Sequence, residues 1–451
     1  MNSIFEIAKS GLFSARQSST IVSNNIANAN TPGYTRQRAD LSATVMRKNG
    51  YTVGRGVTVK QVEQLRNHLT DQQIMKKDSA LGNLNEQNRV YKQLQSTLTS
   101  NSGNGLDTQL SNFFNAFSQL SNNPQDISQR NALLSKAKTL MAGFHNAANN
   151  LENIARQTKK SAQSRVKKIN DLLQNLQSVN KEIARSHANG KPDLNGKDQQ
   201  TQQLKSLSKL VNVGKIYNKN GTVEVRIGGI TVLGGGQVST VKAETAPGKH
   251  VFRLRLDNGK LIKPGGGALA ADQSMIQTVI PNTEQHLNNM AKTLVQQVNK
   301  IHSSGYGLND SVQRNFFNST NISAQDISIN KSLLNNPGNI AASSAPGEAG
   351  NNNIAIKLSN LQNKKVLNNQ TLGSNAVSLM SKPGNRITEL KSQIDTQKSA
   401  KQLLFNQQQS QSGVNIDNQL TNLIKYQNAY QASAKVITAG RQMSNTLLSI
   451  V

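Results

Sequence analysis

From Ile127 to Ser186 the chain contains no proline and a single glycine, Gly143, while Ile154, Val166, Ile169, Leu173, Leu176, Val179 and Ile183 supply an apolar seam. Asp126 stands ready to cap the start, with Gln129 at the third position beyond it as in a capping box. Nothing in this stretch breaks a helix. At ~1.5 Å of rise per residue, a helix of about 60 residues reaches about 90 Å, more than a compact domain spans. The chain therefore reads as a rod before anything else about it is considered.

The two ends carry narrower stripes. Ile4, Ala8, Leu12, Ala15, Ser19, Val22 and Ile26 recur every three or four positions and share one side of a helix. Leu420, Leu423, Gln427, Tyr430, Ala434, Ile437, Leu448 and Val451 keep a near-heptad rhythm. Neither stripe is stable alone in water, and the simplest partner for each is the other. The alternative is ordinary docking of two end helices inside one domain.

Between them the pattern changes several times. The first helix should stop where Asn24, Asn25, Asn28 and Asn30 accumulate before Thr31, Pro32 and Gly33, because Asn competes for its own backbone and Pro restricts the residue before it. Residues 1–33 form the first half of an inner terminal-helix domain. From Tyr34, the apolar positions Leu41, Val45, Tyr51, Val53, Val57 and Val59, broken by Gly50, Gly54 and Gly56, read as short strands opening the rod's first part, 34–212. Residues 213–281 alternate apolar and polar (Val223, Val225, Ile227; Phe252, Leu254, Leu256) and form a β-rich outer domain. Helix returns after Pro281 in a rod segment, 282–304. The Asn/Ser/Gly-rich stretch 305–353 reads as extended chain laid over the β-rich domain. The rod resumes over 354–412, and 413–451 completes the terminal-helix domain. The class is mainly α with a β-rich insertion, an elongated multi-domain molecule whose termini lie together beside a long helical bundle.

Hydrophobic residues make up 35 % of the chain, aromatics 4 %, and tryptophan is absent, so the cores must be thin and long helical bundles are favoured. The formal net charge of +28 argues for an acidic partner surface or nucleic acid. The densest basic cluster, Arg156 to Lys168, holds no stacking aromatic, and zinc-finger spacing and nucleotide-binding loops are missing. Without cysteine there are no disulfides or thiolate metal sites. The six histidines fall in different elements, no carboxylate pair is gathered, and no serine sits in a nucleophile elbow. Neither an enzyme site nor a cofactor is expected. Met1 to Leu12 lacks an apolar run long enough for a signal peptide or membrane span, so work outside the cell requires a route without a cleaved leader.

The run Ser23-Asn24-Asn25-Ile26-Ala27-Asn28-Ala29-Asn30-Thr31-Pro32-Gly33-Tyr34 resembles the signature of the rod, hook and hook-associated (axial) proteins of the bacterial flagellum. The tail from Ser412-Gly413-Val414-Asn415-Ile416-Asp417 through Leu423-Ile424-Lys425-Tyr426-Gln427-Asn428-Ala429-Tyr430 is similar to that of the flagellar hook-associated protein 1 family, as are Asn299 to Tyr306 and Asn336 to Ala342. The match departs at Asn418 and Gln419, where the family tail is usually acidic, and at Asp198-Gln199-Gln200-Thr201, which bears on ion pairs there and not on the packing stripes.

The resemblance implies a structural subunit that is exported by the flagellar secretion apparatus. It would assemble beneath the cap protein into a ring or helical lattice of its own copies, between the hook protein and the adjacent filament-side hook-associated protein. A dedicated export chaperone would bind the C-terminal region beforehand. Nucleic acid and membrane insertion have no place in that scheme. An anchor such as Leu423 or Ile437 contributes about 1.5–3 kcal/mol if fully buried, against an ordering cost of about 1–2 kcal/mol per residue, so lattice neighbours have to supply the balance. Other axial subunits, or a basic coiled-coil nucleic-acid-binding protein, are the competing readings.

Overall fold

The computed structural model describes residues 2–48, 51–98, 105–246, 250–320 and 322–449. The chain runs through α1 (Asn2–Ala27), strands β1 (Gln37–Lys48) and β2 (Tyr51–Gln64), then α2 (His68–Leu98), α3 (Leu106–Asn122), α4 (Ile127–Ala188) and α5 (Leu194–Leu210). Seven short strands follow: β3 (Val213–Tyr217), β4 (Val223–Ile227), β5 (Ile230–Gly234), β6 (Gln237–Val238), β7 (Val241–Thr245), β8 (Phe252–Leu256) and β9 (Leu261–Ile262). Helices α6 (Gly267–Ser274), α7 (Ile280–His302), α8 (Lys331–Asn335), α9 (Asn353–Ser359), α10 (Leu372–Ser412) and α11 (Ile416–Leu448) complete it. The fold is mainly helical, and α4 is one uninterrupted helix of 62 residues.

Two compact units emerge. The first comprises Met1–Ala80, Asn170–Ser239 and Gln397–Val451; the second Leu81–Ile169 and Thr240–Thr396. In the first, β1 and β2 form an antiparallel hairpin with irregularities after Asp40 and Thr44, and it lies on α1. Ser14 Oγ donates to Val57 O at 2.9 Å and Val57 N donates to Ser10 Oγ at 3.2 Å. Residues 37–64 thus belong with the terminal helix, whereas the sequence boundary at 34 assigned them to the rod. The reason is tertiary: hydroxyls on α1 satisfy backbone groups of the strand beside it.

The β-rich stretch also divides differently from the expected single domain at 213–281. Strands β3–β4–β5–β6 form a four-stranded antiparallel sheet in the first unit, and β7–β8–β9 a three-stranded sheet in the second. Helix resumes at Gly267, ahead of Pro281. A π-helical turn, Met275–Val279, joins α6 to α7, and Ile280 N–H donates to Met275 O five residues back. Pro281 follows directly, so the residue without an N–H falls where the helix already widens out of its regular bonding.

The second unit is built on phenylalanine. Phe113 and Phe117 of α3 meet Phe316, Phe113 also meets Phe317, and Phe114 packs on Phe113, with ring centroids 4.9–5.9 Å apart among contacting pairs. The segment 305–353, expected to lie over the outer β-rich domain, is instead buried in this helical core: Phe316, Phe317, Ile327, Ile329, Leu333 and Ile340 are part of it. Its polar composition suggested surface chain, but asparagines within it and beside it satisfy backbone groups. Asn299 of α7 exchanges two 2.9 Å hydrogen bonds with the backbone of Phe317, and Asn330 caps α8.

Two buried bases hold the same segment down. Arg130 donates to the carbonyls of Pro124, Pro337, Gly338 and Ile340, and burial without a facing carboxylate pushes its guanidinium down to about 10. His302 Nδ1–H donates to Arg314 O at 2.7 Å while its Nε2 accepts from Ala341 N–H at 2.9 Å. That pairing requires the neutral ring, and burial lowers its pKa to about 4. Elsewhere in this unit Arg165 bridges Glu86 and Asp272, each at 2.5 Å.

Candidate functional site

The N-terminal signature folds into a clasp that joins the two chain ends. Asn25 is fully buried on α1 and its amide is completely used. Nδ2 donates to Gln37 O at 2.8 Å and to Gln419 Oε1 of α11 at 2.9 Å. Oδ1 accepts from Tyr34 O–H at 2.8 Å and Gln37 N–H at 2.9 Å. A single side chain therefore ties the end of α1 to the returning strand β1 and to the C-terminal helix. Burial, reinforced by the Asp198 carboxylate, pushes the Tyr34 phenol up to about 12, so it remains a donor.

The intervening residues make the turn. Asn28 Nδ2 donates to Asn24 O and to Asn24 Oδ1 at 3.0 Å, and Thr31 Oγ1 donates to Asn28 Oδ1 at 3.1 Å. Gly33 adopts φ +83°, where an L side chain is strained, and an added Cβ would lie 1.5 Å from Gln202 Nε2, which donates to Pro32 O. Ser23, Ala27, Asn30, Thr31 and Pro32 are exposed, and Ile26 is half-buried.

Behind the turn lies a polar anchor absent from the sequence reading. Thr35 donates from N and Oγ1 to Asp198, whose carboxylate also pairs with Arg66; Arg66 further reaches Thr201 Oγ1 at 2.6 Å. Burial raises the pKa of Asp198, while Thr35 and Arg66 oppose that shift. The C-terminal side is tied in by Arg36, which donates from its backbone N to Ser412 O at 2.9 Å and from Nη2 to Gln411 O at 3.1 Å. Asn415 caps α11 by accepting from Asn418 N–H.

Helices α1 and α11 pack along one seam, which differs in part from the expected stripes. Ala8, Ala15 and Val22 are buried and Leu12 is half-buried, but Ile4 is 43 % exposed. On α11, Leu423, Ala434 and Ile437 are half-buried; Leu420, Gln427 and Tyr430 are exposed, and Leu448 is 74 % exposed. Val451 lies outside the described residues. The seam is carried also by small and polar groups: Gly11 and Asn25 on α1, with Gln419, Ser433 and Gly440 on α11. A Cβ on Gly11 would come within 2.8 Å of Ser433 Oγ, and one on Gly440 within 3.2 Å of the Phe5 ring. Hydrophobic periodicity misses such a seam because glycine and serine give close backbone approach, not apolar area. The signal available was the density of small residues.

Among the described residues, no three His, Asp or Glu side chains gather where they could hold a metal ion. No described helix is long and apolar enough to cross a membrane.

The flagellar hook-associated protein FlgK helical domain matches residues 91–317, half of the chain. The chain belongs to the flagellar hook-associated protein 1 family. It is thus a structural, non-enzymatic flagellar protein. Each partner in the clasp carries its own axial match. The flagella basal body rod protein family covers 5–35, the α1 helix and its turn, and the flagellar basal body rod FlgEFG C-terminal family covers 407–450, which contains α11. Flagellar hook-associated protein 1 of Bacillus subtilis is 27 % identical over 501 aligned residues, covering 98 % of this chain and 97 % of the relative. That of Salmonella typhimurium is 25 % identical, with both chains covered in full. The solved flagellar hook junction protein FlgK from Burkholderia pseudomallei shares the fold at a TM-score of 0.64 and 14 % identity, over 75 % of this chain and 100 % of that one.

Proposed function

We propose that the protein is the junction subunit between the flagellar hook and the filament-side hook-associated protein, and that it allows the filament to assemble. The observation that carries this is the unfinished packing of the paired termini. With the α1–α11 seam made, Ile4, Ile7 and Phe13 on α1 and Ile416, Leu420, Ile424, Tyr430, Val436, Met443, Leu447 and Leu448 on α11 remain exposed. Apolar rows of this extent on a helix pair call for further helices alongside.

Copies of the same chain in a ring or helical lattice provide them. A two-faced, non-closing contact then presents one side to hook protein and the other to the next hook-associated protein. Leu420, Tyr430 and Leu448 are lattice contacts in this reading, while Ala8, Ala15, Val22, Leu423, Ala434 and Ile437 hold the pair together. The N-terminal signature sets the clasp. Export by the flagellar secretion apparatus, a chaperone on the C-terminal region and assembly beneath the cap protein complete the proposal. The partners named here rest on family membership and on the names carried by the relatives.

Imaging the hook–filament boundary in cells lacking the gene tests it directly. The expected result is an intact hook with no filament and flagellin lost to the medium. Filaments of normal length on such hooks would sink the assignment.

A further inference from the structure

Beside the clasp, α1, β1 and α11 enclose an open cleft of about 210 Å³. Ser18, Arg36, Arg38, Asn422 and Tyr426 are among its lining residues, and among the described residues neither aspartate nor glutamate lines it. Ser18 is 1 % exposed, and its Oγ has no hydrogen-bond partner among the described residues; the same holds for the buried Nε of Arg36. Arg38 is loosely held, by a 3.7 Å contact with Glu63 at which its side chain is 62 % exposed. A buried hydroxyl and a guanidinium N–H left unmatched on residues that line one cleft, with a second arginine in the same lining, form a set of donors without an acceptor.

We propose that this cleft binds a carboxylate, and that its occupant is an aspartate or glutamate side chain presented by a neighbouring protein subunit. Guanidinium groups recognise carboxylates through paired N–H donors, and Arg36 still has its Nε–H to give. The cleft opens outward rather than enclosing its contents, which suits a side chain arriving on another chain. The formal charge of +28 makes acidic surfaces the complementary partners. The subunit as source rests on the assembly reading above; the carboxylate chemistry does not.

The test is equilibrium binding of a fluorescent short polyglutamate peptide to the purified full chain, with polyglutamine as the neutral control. Saturable binding of polyglutamate alone is expected. Loss of one charge-assisted contact in Arg36→Gln should weaken it by about tenfold or more. Ser18→Ala removes no described contact of the fold, so a loss of about threefold there reports the cleft itself. Lys435→Gln, an exposed charge on α11 that does not line the cleft, should leave affinity unchanged.

Absence of saturable binding, full affinity in both cleft variants, or an equal loss in Lys435→Gln would each overturn the site. Inorganic phosphate displacing the peptide at equal concentration would overturn the subunit as source and assign the cleft to a free oxyanion. None of these outcomes depends on where the protein sits in the flagellum, which the imaging of deleted cells reads separately.

Discussion

Replacing Asn25 by alanine removes four hydrogen bonds at once, and the cost can be worked from the groups left behind. Gln419 Oε1 loses the Asn25 Nδ2 donor, and the backbone N–H and C=O of Gln37 lose their partners. Tyr34 is half-buried and its hydroxyl turns to solvent. With an orphaned buried group costing about 1–3 kcal/mol, the clasp should weaken by about 2–5 kcal/mol. Gln419→Ala alone removes one of these bonds, and the pair should show a coupling of about 1 kcal/mol in a double-mutant cycle. Amide hydrogen exchange across α1 and α11 is the assay, because opening of the clasp exposes those helices without requiring the phenylalanine core to unfold. A change of 2 kcal/mol or more appears as roughly thirtyfold faster exchange there, with α3 and α7 unaffected. Exchange in α1 and α11 that changes by less than about threefold, or single effects that simply add, would refute the idea that this amide couples the chain ends.

Other outcomes follow from the same geometry. His302 has a depressed pKa, so the unfolded chain binds its proton more tightly; its contribution is complete above about pH 6.5 and is lost as pH falls to about 4, by about 3 kcal/mol in all. Urea unfolding of wild type and His302→Gln should therefore converge on acidification. Asp272 carries the opposite sign: burial, aided by Glu86 and opposed by Arg165, raises its carboxyl to about 8, so its contribution is full below the usual carboxylate range and fades as pH rises through 8. Asp272→Asn should flatten that decline with rising pH. Phe317→Ala should lower the stability of the second unit by about 3–5 kcal/mol in calorimetry, since the ring is fully buried against Phe113 and Phe316. Leu420→Glu combined with Ile424→Glu alters two exposed positions, so melting should be unchanged while filament assembly, scored by swimming, is abolished. Normal swimming would remove that face from the lattice.

Long-range periodicity was legible without coordinates. Helix α4 follows from the absence of proline and the spacing of its branched residues, because an uninterrupted helix depends on local backbone chemistry. The turn after α1 was equally plain, since Asn, Pro and Gly act on their own backbone neighbours. The amino-acid order also marked the termini as helices in need of partners. What it left undecided was which face of each helix meets the other. Leu420, Tyr430 and Leu448 stay exposed, and Asn25, Gln419 and Gly440 lie on the seam.

Only the three-dimensional arrangement showed that Asn25 spends its whole amide across three segments, because hydrogen bonding over nearly the full length of the chain has no local signature. The same limit applies to residues 305–353. Their composition is that of surface chain, yet Phe316 and Phe317 carry them inward, and asparagines, Arg130 and His302 supply the polar partners that make burial tolerable. Composition reports how much apolar surface a segment has. Whether its backbone can afford to leave water depends on donors and acceptors brought from elsewhere in the fold.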